Sequence, residues 1–222
     1  MTHAERLEQL YVFAVFMLGS REEAFVSVSA VTAKHPGDPE RWLAALVAPF
    51  IADSRVARID SFAELDDILR TNSTIPIDLS HPMIAGDVGR MSILLSELRR
   101  TCLLATLRGI AVKRRAVFIL RNVLGLPVET CATICETTAD GIRTTEGRGR
   151  RDLERYLSVR CEHMDPRNAC HCAPRLGNAL ERGLVRWPEH GEHDAATPAT
   201  TTYKNVSDLY ASLPRVRLPV VR

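Results

Sequence analysis

The sequence predicts an all-α protein: two small helical domains joined by a linker, then a short Cys/His-rich segment and a tail. Three observations carry this. Apolar residues recur at i, i+3, i+4 and i+7 along most of the chain. Capping residues, glycines and prolines fall at the ends of those runs. A polar, Pro-containing stretch, residues 71–82, interrupts them before the middle of the chain. The expected division is a first helical domain over 1–60, a linker over 61–91, a second helical domain over 92–160, the Cys/His-rich segment over 161–183, and a tail over 184–222. The tail is expected to be flexible apart from a helical turn or two at 206–213.

Each element has its own signal. Leu7, Leu10, Tyr11, Ala14 and Leu18 share one helical face and predict a helix over 4–18, ended by Gly19. Ser20-Arg-Glu-Glu23 is a capping box for a second helix reaching residue 34. Residues 35–38 form a turn. Asp38 is expected to cap a third helix with Pro39 at its first position. That helix carries Trp42, Leu43, Leu46 and Val47, and Pro49 is expected to kink it. Signals weaken over 59–90, where 62–69 allows a short helix and 71–82 reads as loop. From Ser92, residues Leu95, Leu98, Cys102 and Ala105 line one face. Ala116, Ile119, Leu120 and Val123 predict a helix over 113–124, closed by Gly125. Val128, Cys131, Ala132 and Cys135 repeat the spacing over 128–135. A turn at Glu136-Thr137-Thr138 leads into a basic helix over 139–157, and a further short helix is predicted over 175–182.

The chain has 222 residues, 45% hydrophobic and 5% aromatic, with a formal net charge of +2. No run approaches the ~20 apolar residues needed to cross a bilayer, so no membrane insertion is expected. The N-terminus does not read as a signal peptide, and a cytoplasmic protein is expected. Basic charge is uneven: residues 99–160 hold thirteen Lys or Arg against six Asp or Glu. A concentration of this kind suits phosphate neutralisation, and equally a solvated helix face.

Two short helices around a three-residue turn, the second one basic, is the plan of a helix-turn-helix. Cys131, Ala132 and Cys135 face inward on the first helix, and Ile142 anchors the second. Thr138, Asp140, Gly141, Arg143 and Thr144 are the candidates for the groove of a duplex. Arg148, Arg150 and Arg151 are the candidates for its phosphates.

The run from Arg115 through Gly125-Leu-Pro-Val-Glu-Thr-Cys-Ala-Thr-Ile134, with Ile142-Arg143 and Arg148-Gly-Arg150, resembles domain 4 of the extracytoplasmic-function (ECF) sigma factors. Leu18-Gly-Ser-Arg-Glu-Glu-Ala24, Pro39-Glu-Arg-Trp-Leu43 and Asp53-Ser-Arg55 more loosely resemble sigma domain 2. The likeness spans residues 5–183. It implies a sigma domain 2-like and a sigma domain 4-like unit, with promoter DNA, RNA polymerase core and an anti-sigma protein as partners. The 139–157 helix would read the minus-thirty-five element. It implies no catalysis, and no phosphate-cradling Gly loop, nucleophile elbow or separated acid–base pair is evident.

Several positions depart from the family pattern. Val26, Ser29 and Ala30 stand where an acidic and amide clamp-docking surface is expected. Pro49 interrupts the helix of the minus-ten region, and only Arg55 and Arg58 supply its basic run. Glu136 replaces a turn glycine, Glu146 replaces an apolar residue, and Gly141, Gly147 and Gly149 dilute the reader helix by roughly 1 kcal/mol each relative to Ala. Two other functions therefore stand beside initiation. One is a DNA-binding regulator of sigma-like fold that no longer initiates. The other is a decoy that engages polymerase or an anti-sigma partner.

Cys161, His163, Cys170 and Cys172 crowd one short loop. Three thiolates and an imidazole match the ligand set of a tetrahedral zinc ion, and Asp165-Pro166 favours a turn between the two pairs. A similar Cys/His segment follows domain 4 in some ECF-like sigma factors. A thiol redox switch and merely buried or unused cysteines are the alternatives, and His171 is a substitute ligand for His163. Cys102, Cys131 and Cys135 read as small core residues, Trp42 as core rather than a base-stacking wedge, and His190 and His193 as solvated.

Overall fold

The computed structural model describes residues 2–52, 82, 84, 86–187, 201–213 and 218. Among these, every regular element is helical, and extended pairing is limited to one isolated parallel bridge between Cys161 and Cys170. The helices are α1 (His3–Leu18), α2 (Arg21–Lys34), α3 (Trp42–Ala52), α4 (Val88–Arg108), α5 (Val112–Phe118), α6 (Val128–Ile134), α7 (Ala139–Leu157), α8 (Leu176–Glu181) and α9 (Val206–Ala211). The readings at 53–81 and 188–200, including Arg55, Arg58, His190 and His193, lie outside the described residues.

The chain divides into two compact units. One comprises Met1–Ser61, Leu107–Asp152 and Val216–Arg222; the other comprises Phe62–Thr106 and Leu153–Arg215. This differs from the sequence-based division, which set 1–60 apart from 92–160. Helical periodicity shows which face of a helix is buried but not which other helix covers it.

In the first unit α1 packs on α2, α3 and α5. Thr2 and Glu5 form a reciprocal capping box at its start, and Gly19 closes it in the left-handed conformation (φ 76°). Its C-terminal half, Phe13 to Met17, is buried on every side. Ser20 accepts the Glu23 N–H and opens α2, which buries only Ala24 and Val28. Asp38 accepts the Arg41 N–H in a turn, so α3 begins at Trp42, later than the Pro39 start expected, and Pro49 lies inside it. Trp42 is core: it is buried and its indole N–H donates to the His35 carbonyl at 2.8 Å.

The helix expected over 113–124 is α-helical only to Phe118. Ile119–Val123 is a π-turn in which the Leu124 N–H reaches back to the Ile119 carbonyl. Just before it, Arg115 is fully buried. Its guanidinium donates to the Met17 carbonyl (2.6 Å), at the end of α1, and to the Arg108 carbonyl (3.0 Å), at the end of α4. A cation between two helix C-termini satisfies carbonyls that have no partner within their own helices.

In the second unit Leu94 and Leu95 of α4 pack with Leu176 and Ala179 of α8, Ile84 and Val185. The helical turn expected within 206–213 is present as α9. Asn205 caps α9, whose Val206, Leu209 and Tyr210 are buried, and the Tyr210 hydroxyl donates to the Leu103 carbonyl at 2.8 Å.

Candidate functional site

The first candidate surface is built by α6, its turn and α7. Cys131 and Cys135 are buried below it. Glu136 turns the chain with φ 49°, the left-handed region that favours glycine. The Thr138 hydroxyl then accepts the Gly141 N–H (3.1 Å) and caps α7. Along α7, Ile142, Gly149, Leu153 and Tyr156 face inward. Thr138, Asp140, Arg143, Thr144, Arg148, Arg150 and Arg151 are exposed, and Gly141 is half-buried. Arg143 is held by Asp140 at 2.7 Å and lies 3.9 Å from Glu129, so it is partly neutralised within the chain.

Two of the residues singled out in the sequence acquire a structural reason. Glu146, 18% exposed, accepts from Arg121 (3.2 Å) and from the Asn122 amide (3.3 Å), tying α7 to the π-turn. Gly149 is buried where a Cβ would meet the Cβ and carbonyl oxygen of Arg114 at 3.3 Å, so the glycine permits a close approach of helices. The basic count of residues 99–160 is also redistributed. Arg99, Arg100 and Arg115 are buried, while Arg114 and Arg121 pair with Asp152 and Glu146. The exposed remainder is concentrated on α7.

The second candidate surface is the loop after α7, in the second unit. Asp165 begins a turn closed by the Asn168 N–H, and the Asn168 amide donates to the Ser158 and Cys161 carbonyls. That turn sets Cys161 beside Cys170: the Glu162 N–H donates to the Cys170 carbonyl, and the Cys170 N–H to the Arg160 carbonyl. The Glu162 carboxylate accepts the Cys172 N–H at 2.5 Å and engages His171 Nδ1 at 2.8 Å.

His163 is buried. Its Nδ1 lies 3.0 Å from the Thr201 carbonyl, which can only accept, so Nδ1 carries the proton. In the neutral ring, which burial favours by lowering the His163 pKa, Nε2 then presents its lone pair to Cys172 Sγ, 3.6 Å away. A carbonyl fixing one ring nitrogen while the other faces a ligand position is the usual support for a metal-binding histidine.

Among the described residues, Glu162, His163 and Cys172 bring their ligand atoms within 4.8 Å of one another, a set able to hold a metal ion. Of the four ligands expected from sequence, His163 and Cys172 belong to this set. Cys161 and Cys170 line an adjoining cavity of about 200 Å³ together with Cys172 and Cys102. His171 is committed to Glu162. Burial pushes the Cys161 thiol up to about 11 and the Cys102 thiol to about 12, and raises Cys172 further, with neighbouring thiols adding to each.

Sequence reasoning missed Glu162 as a member of the candidate set and the approach of Cys102 to the cavity of the loop cysteines. Glu162 was within reach, being a carboxylate between two predicted ligands. Cys102 carried no local signal, since its helical spacing is that of a core residue.

No family model, curated protein or solved structure matches this chain.

Proposed function

We propose that this chain is a sigma-like transcription protein that binds duplex promoter DNA through α7 and works with RNA polymerase core. The observation that supports it best is the capped, 19-residue α7 that follows a tight left-handed turn. It keeps Ile142 inward and its arginines outward. In this reading Thr138, Asp140, Gly141, Arg143 and Thr144 approach base edges of a minus-thirty-five element, and Arg148, Arg150 and Arg151 hold phosphates. The Arg143–Asp140 pair must open for Arg143 to reach a base.

Fluorescence anisotropy against duplex DNA over a salt series tests it. Binding is expected to weaken steeply with salt, and Arg148→Ala with Arg151→Ala to lower the log–log slope by about 2. Absence of salt-dependent DNA binding overturns the reading and leaves the partner-binding decoy.

A second reading, a DNA-binding regulator that does not initiate, draws on α2. Val26 is 66% exposed and Ser29 and Ala30 are exposed as well, so the face expected to dock on polymerase carries small and apolar groups. Run-off transcription with core polymerase separates the two. Initiation from a bound promoter favours the first; binding without initiation favours the second.

The metal belongs to the same proposal. A thiolate, an imidazole and a carboxylate are a donor set that zinc accepts, and a closed four-ligand site is structural.

A further inference from the structure

We infer that Cys161 and Cys170 form a reversible disulfide, a redox modification site in the loop that follows α7. The inference stands apart from the metal reading, since neither cysteine belongs to the Glu162, His163 and Cys172 set.

Backbone pairing singles out these two among the four cysteines around the cavity. Cys161 and Cys170 are the partners in the isolated parallel bridge. The Cys170 N–H donates to the Arg160 carbonyl and the Glu162 N–H to the Cys170 carbonyl, both at 3.1 Å, so the two residues stand opposite one another. Paired strands run about 4.8 Å apart. A disulfide accepts Cα separations of about 4.4–6.8 Å, and that spacing lies inside the range. Both side chains line the same cavity, so they leave the bridge on one side. The other two thiols lack this placement. Cys172 Sγ faces His163 Nε2 at 3.6 Å. Cys102 sits on α4, which has no backbone hydrogen bond to the loop among the described residues.

The pairing is held by contacts that do not involve sulfur. The Asn168 N–H closes the turn on the Asp165 carbonyl at 3.0 Å. The Asn168 amide donates to the Ser158 and Cys161 carbonyls at 2.9 and 3.0 Å. The Cys161 N–H returns to the Leu157 carbonyl, at the end of α7. The fold therefore opposes the two cysteines while both are thiols. Each is half-buried, within reach of a small oxidant.

The oxidant is a low-molecular-weight disulfide of the glutathione type. One cysteine sulfur attacks it, forming a mixed disulfide and releasing one small thiol. The other cysteine sulfur attacks the mixed disulfide, forming the Cys161–Cys170 bond and releasing the second small thiol. The two protons lost by the protein end on the two released thiols. The protein pair gives up two electrons and the small disulfide takes them. Burial raises both thiols, which slows the attack near neutral pH but leaves the two sulfurs opposed. The bond would close the loop over 161–170, which carries Glu162 and His163.

The test equilibrates the full-length chain with reduced and oxidised glutathione at about pH 8, a chelator present throughout. The chain is then quenched in acid, alkylated and digested with trypsin. Cleavage after Arg160, Arg167 and Arg175 puts Cys161 on one peptide and Cys170 with Cys172 on another. The two peptides are expected to be joined, with fragmentation in the mass spectrometer placing the bond at Cys170. Cys172→Ser should keep the joined pair and Cys170→Ser should lose it. The folded chain should form the bond with an equilibrium constant at least ~10-fold above that of the chain in urea, because the fold raises the effective concentration of one thiol at the other. A bond from Cys161 to Cys172 or Cys102, glutathione adducts without an internal bond, or equal constants with and without urea would overturn the pairing. Should a variant not fold, the bond position in the wild-type peptides decides alone.

Discussion

Glu136 occupies a backbone position that costs an L-residue about 1–2 kcal/mol. Glu136→Gly is therefore expected to raise stability by about 1 kcal/mol, read as a higher urea midpoint with unchanged slope. Arg115 is the opposite case. Removing it strands the Met17 and Arg108 carbonyls at two helix ends. Arg115→Met should cost about 2–4 kcal/mol, and Arg115→Lys should recover only part, because an ammonium lacks the fork that serves both acceptors. The buried thiols of the first unit give a pH dependence with a definite sign. Burial raises Cys131 to about 12 and Cys135 to about 11, from an ordinary value of 9.0. The folded chain thus holds these protons more tightly than the unfolded one. Their contribution to stability is complete below pH 9 and is lost as pH rises from 9 toward 11–12. Cys131→Ala should show a shallower alkaline fall in unfolding free energy than the wild type; parallel curves for the two proteins would contradict the assignment.

At the scale of elements, α7 carries two glycines that look alike in sequence and differ in place. Gly147 faces open space, its nearest neighbour being the flexible end of Arg151 at 3.6 Å; Gly149 lies against Arg114 backbone. Gly147→Ala should stabilise by about 0.5–1 kcal/mol through helix propensity alone, and Gly149→Ala should destabilise despite the same propensity gain. Thermal unfolding of the two variants checks the opposite signs. The helical extents of α1, α2, α6 and α7 were legible because they are written locally, in caps, stop residues and apolar spacing. The π-turn was not. Its extra residue is held by the Arg121 and Asn122 side chains, which reach Glu146 on another helix, and no spacing rule over 113–124 contains that partner.

For the whole molecule, the second unit ties its tail to the candidate metal centre. The Tyr203 N–H donates to the His163 carbonyl at 2.8 Å, and the Thr201 carbonyl receives His163 Nδ1. Metal bound at Nε2 would fix the ring these contacts share. Residues 201–213 are accordingly expected to gain protection in amide hydrogen exchange when zinc is added to metal-free chain. Equal protection with and without zinc would separate tail docking from the metal.

The amino-acid order alone determined the all-helical class, the tight turn before α7, the exposed set of side chains on that helix, and the gathering of Cys161, His163, Cys170 and Cys172 in one loop. Each follows from bonds and periodicities spanning a few residues. The tertiary structure decided the fate of groups whose partners are remote. Arg99 and Arg115 are buried rather than offered to phosphate. Cys102 joins the loop cysteines at one cavity. The tail segment 201–213 is docked through Tyr210 and Thr201. A charge or a thiol has the same helical spacing whether it meets water, a carbonyl or a metal, and only the chain's path in space selects among them.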